Sequence, residues 1–241
     1  MFIRHHQLKK SMKKIILAAV ISIACTTFVK AQTNKGNLFM GTSIGSSTYS
    51  SDNQTADYSD GNYAKTNSKG FAIGISPEIG AFLSDHFVLG GNLTASYGHS
   101  SVTENNTEGA VTSYTSSGSS TIFSVGPFAR YYFFDAKPSA TLLYLQANAS
   151  IGTGTGSSSR VNIDPTFSTT DNGNLVGLLS TDLGASVGVT HFIQKTIGLD
   201  LSVGYNYGHE TYSDNVGDLS RHISIGANSV ILTAGFHFFL P

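Results

Sequence analysis

Five ionisable residues, Glu78, Arg130, Asp182, Asp200 and His237, stand alone inside stretches that otherwise carry almost no charge. An arginine facing two carboxylates makes short, charge-assisted hydrogen bonds, and a histidine beside them donates or accepts as its tautomer requires. In an interior away from water such groups must pair, because an unpaired buried charge is costly. A second constellation is His222-Ile223-Ser224, a base and a hydroxyl two residues apart. It resembles the His-x-Ser arrangement of a lipid A deacylase, which also needs an orienting acid and an outward-facing site. The nearest acid, Glu210, falls in a predicted loop, so this pair is read as polar rim residues and no catalytic residue is expected. His86, His99, His191 and His209 are scattered without an acidic partner at metal-ligand spacing, so neither a metal site nor a cofactor site is expected. Asp52, Asp57 and Asp60, or Asp164 and Asp171, could meet divalent cations at a cell surface, but loop solvation accounts for them. Gly152-Thr153-Gly154-Thr155-Gly156-Ser157-Ser158-Ser159 lacks the Gly-Lys-Ser/Thr ending of a phosphate loop.

The elements that carry these residues alternate with period two. In Gly70–Leu83 one face is Phe71, Ile73, Ile75, Pro77, Ile79, Ala81 and Leu83, and the other is Ala72, Gly74, Ser76, Glu78, Gly80 and Phe82. Such alternation specifies a strand with one apolar and one polar face. The polar face holds Gly, Ser, Asn and Thr in place of Lys and Glu. That composition suits a crowded lumen and turns the apolar face outward, towards lipid. Eight strands follow, at about 38–49, 70–83, 87–98, 120–133, 141–152, 178–192, 196–207 and 221–240. The fold class is therefore an all-β, eight-stranded antiparallel transmembrane β-barrel. Ser84–His86, Phe134–Ala140 and Ile193–Lys195 read as short periplasmic turns. Ser50–Lys69, His99–Ser119, Thr153–Gly177 and Gly208–Ser220 read as long extracellular loops. On strand eight, Ile223 and Ile225 take the apolar face and turn His222 and Ser224 inward, which requires a bulge around Gly226–Ser229 before Val230 and Leu232.

In this register Glu78, Arg130, Asp182, Asp200 and His237 all face the lumen. Glu78, Arg130, Asp200 and His237 lie at similar distances from the turns or from the chain end, whereas Asp182 lies nearer the middle. Opposed side chains meet across an eight-stranded lumen. Arg130 is therefore expected to bridge Glu78 and Asp200, with His237 hydrogen-bonded beside Asp200, as a structural ion network. Tyr97, Tyr205 and Tyr207 at one end, and Phe87, Tyr131, Phe133, Phe236 and Phe238 at the other, are expected to form two interfacial girdles.

Residues 1–31 read as a secretory signal peptide. Lys13 and Lys14 precede an apolar run from Ile15 to Cys25, Val29-Lys30-Ala31 forms a small-residue exit, and Met12 is an equally good start. Residues 32–241 form the barrel domain, without cysteine and hence without a disulfide framework. Six of the 14 Lys and Arg precede Gln32 and all 15 Asp and Glu follow it, so the mature chain carries a formal charge of −7. No basic stripe exists for a nucleic acid.

Gly74-Ile75-Ser76-Pro77-Glu78-Ile79-Gly80-Ala81-Phe82-Leu83-Ser84-Asp85-His86-Phe87-Val88-Leu89-Gly90 resembles the strand–turn–strand unit of small outer-membrane β-barrel proteins of the porin-like superfamily. Val125-Gly126-Pro127-Phe128-Ala129-Arg130-Tyr131-Tyr132-Phe133-Phe134 resembles a second copy of its first half, and the whole is similar to such proteins from Bacteroidota. The last strand departs from the family habit of ending on an aromatic, since Phe238-Phe239 is followed by Leu240-Pro241. The resemblance implies residence in the outer membrane of a Gram-negative bacterium. The contacts it implies are outer-membrane lipid and lipopolysaccharide, with the barrel assembly machinery met during insertion. A non-enzymatic, monomeric barrel with a structural or interaction role at its exposed loops is the first expectation. A narrow porin-like channel for small molecules is the alternative, and a lipid A-modifying barrel built on His222 and Ser224 the remote one.

Overall fold

The computed structural model describes residues 33–57, 63–105, 113–134, 140–163, 168–216 and 219–241. The strands are β1 (Leu38–Asp57), β2 (Tyr63–Ser84), β3 (Phe87–Asn105), β4 (Ser113–Tyr132), β5 (Thr141–Ile163), β6 (Ser168–Gln194), β7 (Ile197–Val216) and β8 (Leu219–Leu240). Each pairs antiparallel with its neighbours in sequence order, and β1 closes on β8 from Leu38↔Leu240 to Tyr49↔Ser229. Over this span closure leaves no unpaired strand edge, the condition for a sheet to cross lipid.

The apolar phase of each strand looks outward. Phe123, Leu183 and Leu93 are 63%, 62% and 61% exposed, and Ile44, Ile75, Leu201 and Leu232 join them in the same belt. A contiguous apolar band of this extent on the outside of a barrel is a lipid-facing surface. Tyr97, Tyr205 and Tyr207 border it on one side, and Tyr131, Phe133 and Phe236 on the other. Pro77 and Pro127 sit on this outer face, each where the ladder towards the next strand is interrupted: β2–β3 skips from Ile75↔Ala95 to Glu78↔Asn92, and β4–β5 from Val125↔Ile151 to Phe128↔Asn148. Proline has no N–H to give. Across the first gap Ser76 and Thr94 hydroxyls bond instead, at 2.6 Å.

One end of the barrel, the turn end, is tightly tied. Asp85 and His86 form a two-residue hairpin between Ser84 and Phe87, with His86 at a positive φ of 74°. The segment before β1 folds across this hairpin. The Gly36 N–H donates to the Phe82 carbonyl (2.8 Å), His86 N–H to Thr33 (2.9 Å), and Lys35 N–H to the Asp85 carboxylate (2.9 Å). Gly36 has φ +93°, which explains glycine there.

At the opposite, loop end the structure differs from the expected loops. The described residues of Ser50–Lys69, His99–Ser119, Thr153–Gly177 and Gly208–Ser220 largely continue as strand, with ladders reaching Asp57↔Tyr63, Asn105↔Ser113, Ile163↔Ser168 and Val216↔Leu219. The reason is that hydrophobic alternation records burial, not pairing. Above the lipid both faces meet polar surroundings, so Ser, Thr and Asn fill both phases while the backbone ladder carries on. A tilted spanning strand needs about 9–11 residues, whereas β6 has 27 and the shortest, β3, has 19. The barrel therefore projects well beyond the bilayer.

The bulge expected at Gly226–Ser229 is absent. The β7–β8 register is unbroken from Ile197↔Phe238 to Val216↔Leu219. Ser224 shares the exposed phase of Asn228, Val230 and Leu232, opposite to its expected inward orientation. The phase of Ile223 and Ile225 is no guide above the lipid, where the outer face is itself polar. Irregularities occur elsewhere, as in β6 between Val176 and Leu179, where Gly177 takes a positive φ of 67°. Residues 1–31 and the acids Asp60 and Asp164 lie outside the described residues, as do the side chains of Asp52, Asp57, Asp171 and His222.

Candidate functional site

Near the turn end, inward positions of five strands bring one guanidinium, two carboxylates, an imidazole and a carboxamide together. Arg130 on β4 donates from Nη1 to Asp200 Oδ2 on β7 (2.6 Å) and from Nη2 to Glu78 Oε2 on β2 (3.4 Å). Its Nε donates to Gln146 Oε1 on β5 (2.6 Å), and Nη1 also reaches the Tyr132 hydroxyl (3.2 Å). His237 on β8 lies between the two acids, with Nδ1 3.0 Å from Asp200 and Nε2 3.3 Å from Glu78. Arg130, Glu78, Asp200 and His237 are all buried. Removing one partner from a pair this dry leaves an uncompensated charge, a loss of about 3–5 kcal/mol.

Aromatic rings seal the space around and beneath this cluster. Phe39, Phe82, Phe128, Tyr132, Tyr144, Phe192 and Phe239 are buried together with Val88 and Leu142. The guanidinium of Arg130 lies between two of the rings, 4.7 Å from the Phe39 centroid and 4.2 Å from that of Tyr144. Contact of this kind stabilises a desolvated cation by about 2 kcal/mol. His237 stacks on Phe39 with centroids 4.5 Å apart, and Phe192 meets Phe239 at 4.8 Å. Glycines make room for these rings. A Cβ on Gly41 would overlap His237 Cδ2, and one on Gly188 would come within 2.5 Å of Tyr144 Cζ. At this level glycine on the lumen face leaves no opening, because a ring occupies the space its side chain would take.

Above the cluster the lumen opens into a cavity of about 410 Å³, within the range of small-ligand sites. Its floor is Glu78, Arg130, Gln146, Asp200 and His237, and its walls are mostly Ser, Thr, Asn and Gly. Asp182 stands higher in the wall, accepting from Asn206 Nδ2 (3.0 Å) and Ser150 Oγ (3.4 Å), with Glu210 beyond it on the same lining.

The structure thus brings Glu78, Arg130, Asp200 and His237 into one contact network and keeps Asp182 apart. Ser224 contacts His209 Nε2 (3.3 Å) on the exposed side. The inward aromatics escaped the sequence reading, although a signal exists: at the turn end rings come in doublets, Tyr131-Tyr132 and Phe238-Phe239. Adjacent residues of a strand point to opposite faces, so each doublet gives one ring to lipid and one to the lumen. Among the described residues no group of three or more His, Cys, Asp or Glu side chains is arranged to hold a metal ion.

A closed, even-stranded antiparallel barrel with an apolar outer belt, aromatic borders and a polar lumen is an outer-membrane-type transmembrane β-barrel. No family model matches the chain, and no curated protein matches it. Among solved structures it is similar to the outer membrane protein OprG from Pseudomonas aeruginosa, at 13% identity and a TM-score of 0.49, over 88% of this chain and 99% of that one. It is similar also to Neisserial surface protein A, at 18% identity and a TM-score of 0.39, over 83% and 96%. The outer membrane protease OmpT from Escherichia coli aligns at 12% identity and a TM-score of 0.41, over 90% and 100%. These likenesses are ones of strand architecture and say nothing about activity.

Proposed function

We propose that the protein is a non-enzymatic barrel of a Gram-negative outer membrane, sealed at its periplasmic end, whose long hairpins act as an interaction surface outside the cell. The observation that carries this reading is the filled cross-section at the turn end, where seven aromatic side chains surround the Arg130 cluster. Short turns face the periplasm in barrels of this type, so the turn end is the inner one and the extended hairpins rise outside. In this reading a signal peptide of residues 1–31 directs export, the assembly machinery inserts the barrel, and it works as a monomer among lipid and lipopolysaccharide. It uses no cofactor and meets no nucleic acid.

The cavity of about 410 Å³ favours one second reading, a narrow conduit for small molecules that opens when the floor rearranges. Ser224 and His209 bring a hydroxyl and an imidazole together on the exposed side, but a hydrolase also needs a third group to orient the base. Glu210, the acid next in the chain, lines the lumen instead. Planar-bilayer recording separates the first two readings. The sealed barrel gives no discrete conductance steps, whereas Tyr144→Ala with Phe39→Ala produces them. Steps of reproducible size from the wild-type barrel would establish the conduit.

A further inference from the structure

The charge on the cavity wall is one-sided. Glu78, Asp182, Asp200 and Glu210 line the cavity, and the guanidinium among the described lining residues, Arg130, is held at the floor by Asp200 and Glu78. Asp182 and Glu210 have no cationic side chain beside them among the described residues, and Glu210 feels the negative charge of Asp182. Between them lies Ser180, which is 2% exposed and whose hydroxyl has no hydrogen-bond partner. Ser180 is directly opposite Glu210 across the β6–β7 ladder and two residues from Asp182 on the same face of β6. Directly opposed side chains in an antiparallel pair start about 5 Å apart, so the three acceptors converge on one patch of wall.

Two glycines keep that patch clear. A Cβ on Gly208 would stand 2.9 Å from Asp182 Oδ1, and one on Gly152 would stand 2.9 Å from Ser180 Oγ. Two carboxylates with a buried, unpartnered hydroxyl beside them, in the wall of a cavity of small-molecule size, match a group with a positive charge and several N–H donors. A primary ammonium has three donors and no acceptor. A divalent metal fits less well, since the described residues offer no group of three or more His, Cys, Asp or Glu side chains to hold one, and calcium takes about 6–8 oxygens. We propose that the lumen patch formed by Asp182, Glu210 and Ser180 binds the primary ammonium group of a small organic cation.

The inference does not depend on the floor being sealed, because the patch lies in the wall above it. The test is titration calorimetry on the full folded barrel in zwitterionic detergent at low salt, with 1,4-diaminobutane as the probe. Saturable binding at a single site is expected. Glu210→Gln and Asp182→Asn should each weaken it at least tenfold, and Ser180→Ala measurably less. The bis(trimethylammonium) analogue of the diamine, which has the same two charges but no N–H, should bind at least tenfold more weakly than the diamine. Heat-dependent gel mobility identifies variants that remain folded, and Ser180→Ala, which removes a single oxygen, keeps the test valid if a carboxylate variant does not fold. The proposal is overturned by a lack of saturation, by equal affinity for the two ammonium probes, by preferential binding of Ca²⁺, or by folded variants that bind like wild type.

Discussion

Both ends of the lumen carry inward-facing glycines, yet the two ends come out opposite. At the loop end Gly, Ser, Thr and Asn face one another and leave a cavity; at the turn end glycine faces a ring and leaves nothing. What a small lumen residue does is therefore set by its cross-strand and cross-lumen neighbours. Gly98 in the upper wall and Gly41 near the floor make the contrast plain. A Cβ on Gly98 would meet its nearest neighbour, Ser120 Oγ, at 3.5 Å, an ordinary contact, whereas on Gly41 it would overlap His237 and the Phe236 carbonyl, the latter at 2.5 Å.

The largest effect expected from this contrast is at the floor charge. Arg130→Ala strands Glu78 and Asp200 and should lower stability by about 3–5 kcal/mol, read as a fall in the urea midpoint for unfolding in lipid vesicles. A wild-type midpoint would mean that water already solvates the acids. Next is Phe39→Ala, which removes the ring that touches both Arg130 and His237, and should cost about 3–5 kcal/mol at most, less if the site collapses or admits water. Gly41→Ala follows. Forcing a methyl group against His237 and fixed backbone should cost about 1–3 kcal/mol and loosen the turn end against proteolysis. Smallest is Gly98→Ala, expected to stay within about 0.5 kcal/mol of wild type. If Gly98→Ala and Gly41→Ala prove equally harmful, the two ends do not differ as described.

The same contrast explains what the sequence revealed. The barrel, its closure and the inward phase of Glu78, Arg130, Asp200 and His237 were legible because, within the lipid belt, alternation maps directly onto inside and outside. Above the belt that mapping ends, which is why Ser50–Lys69 and the other polar segments read as loops although their described residues are largely paired strand, and why Ser224 received the wrong face. At the turn end the difficulty is reversed. Phe82 falls on the polar phase of β2, yet it is a buried ring that packs against Tyr132 and Phe239. The contribution of Gln146 to the Arg130 network was not legible either, because a neutral side chain on an alternating strand carries no mark of its partner, even one directly opposite across the β4–β5 ladder.

The sealed turn end is the central claim, and thiol accessibility tests it most directly. In a Cys25→Ser background, Ser124→Cys places a thiol on the open wall and Thr190→Cys places one at a position with no exposed surface. Barrels reconstituted in vesicles are treated with a membrane-impermeant maleimide from one side at a time. The account predicts rapid modification of Ser124→Cys from the loop side alone, and none of Thr190→Cys from either side until the barrel is unfolded. Modification of Ser124→Cys from the turn side, or of folded Thr190→Cys at a comparable rate, would contradict it.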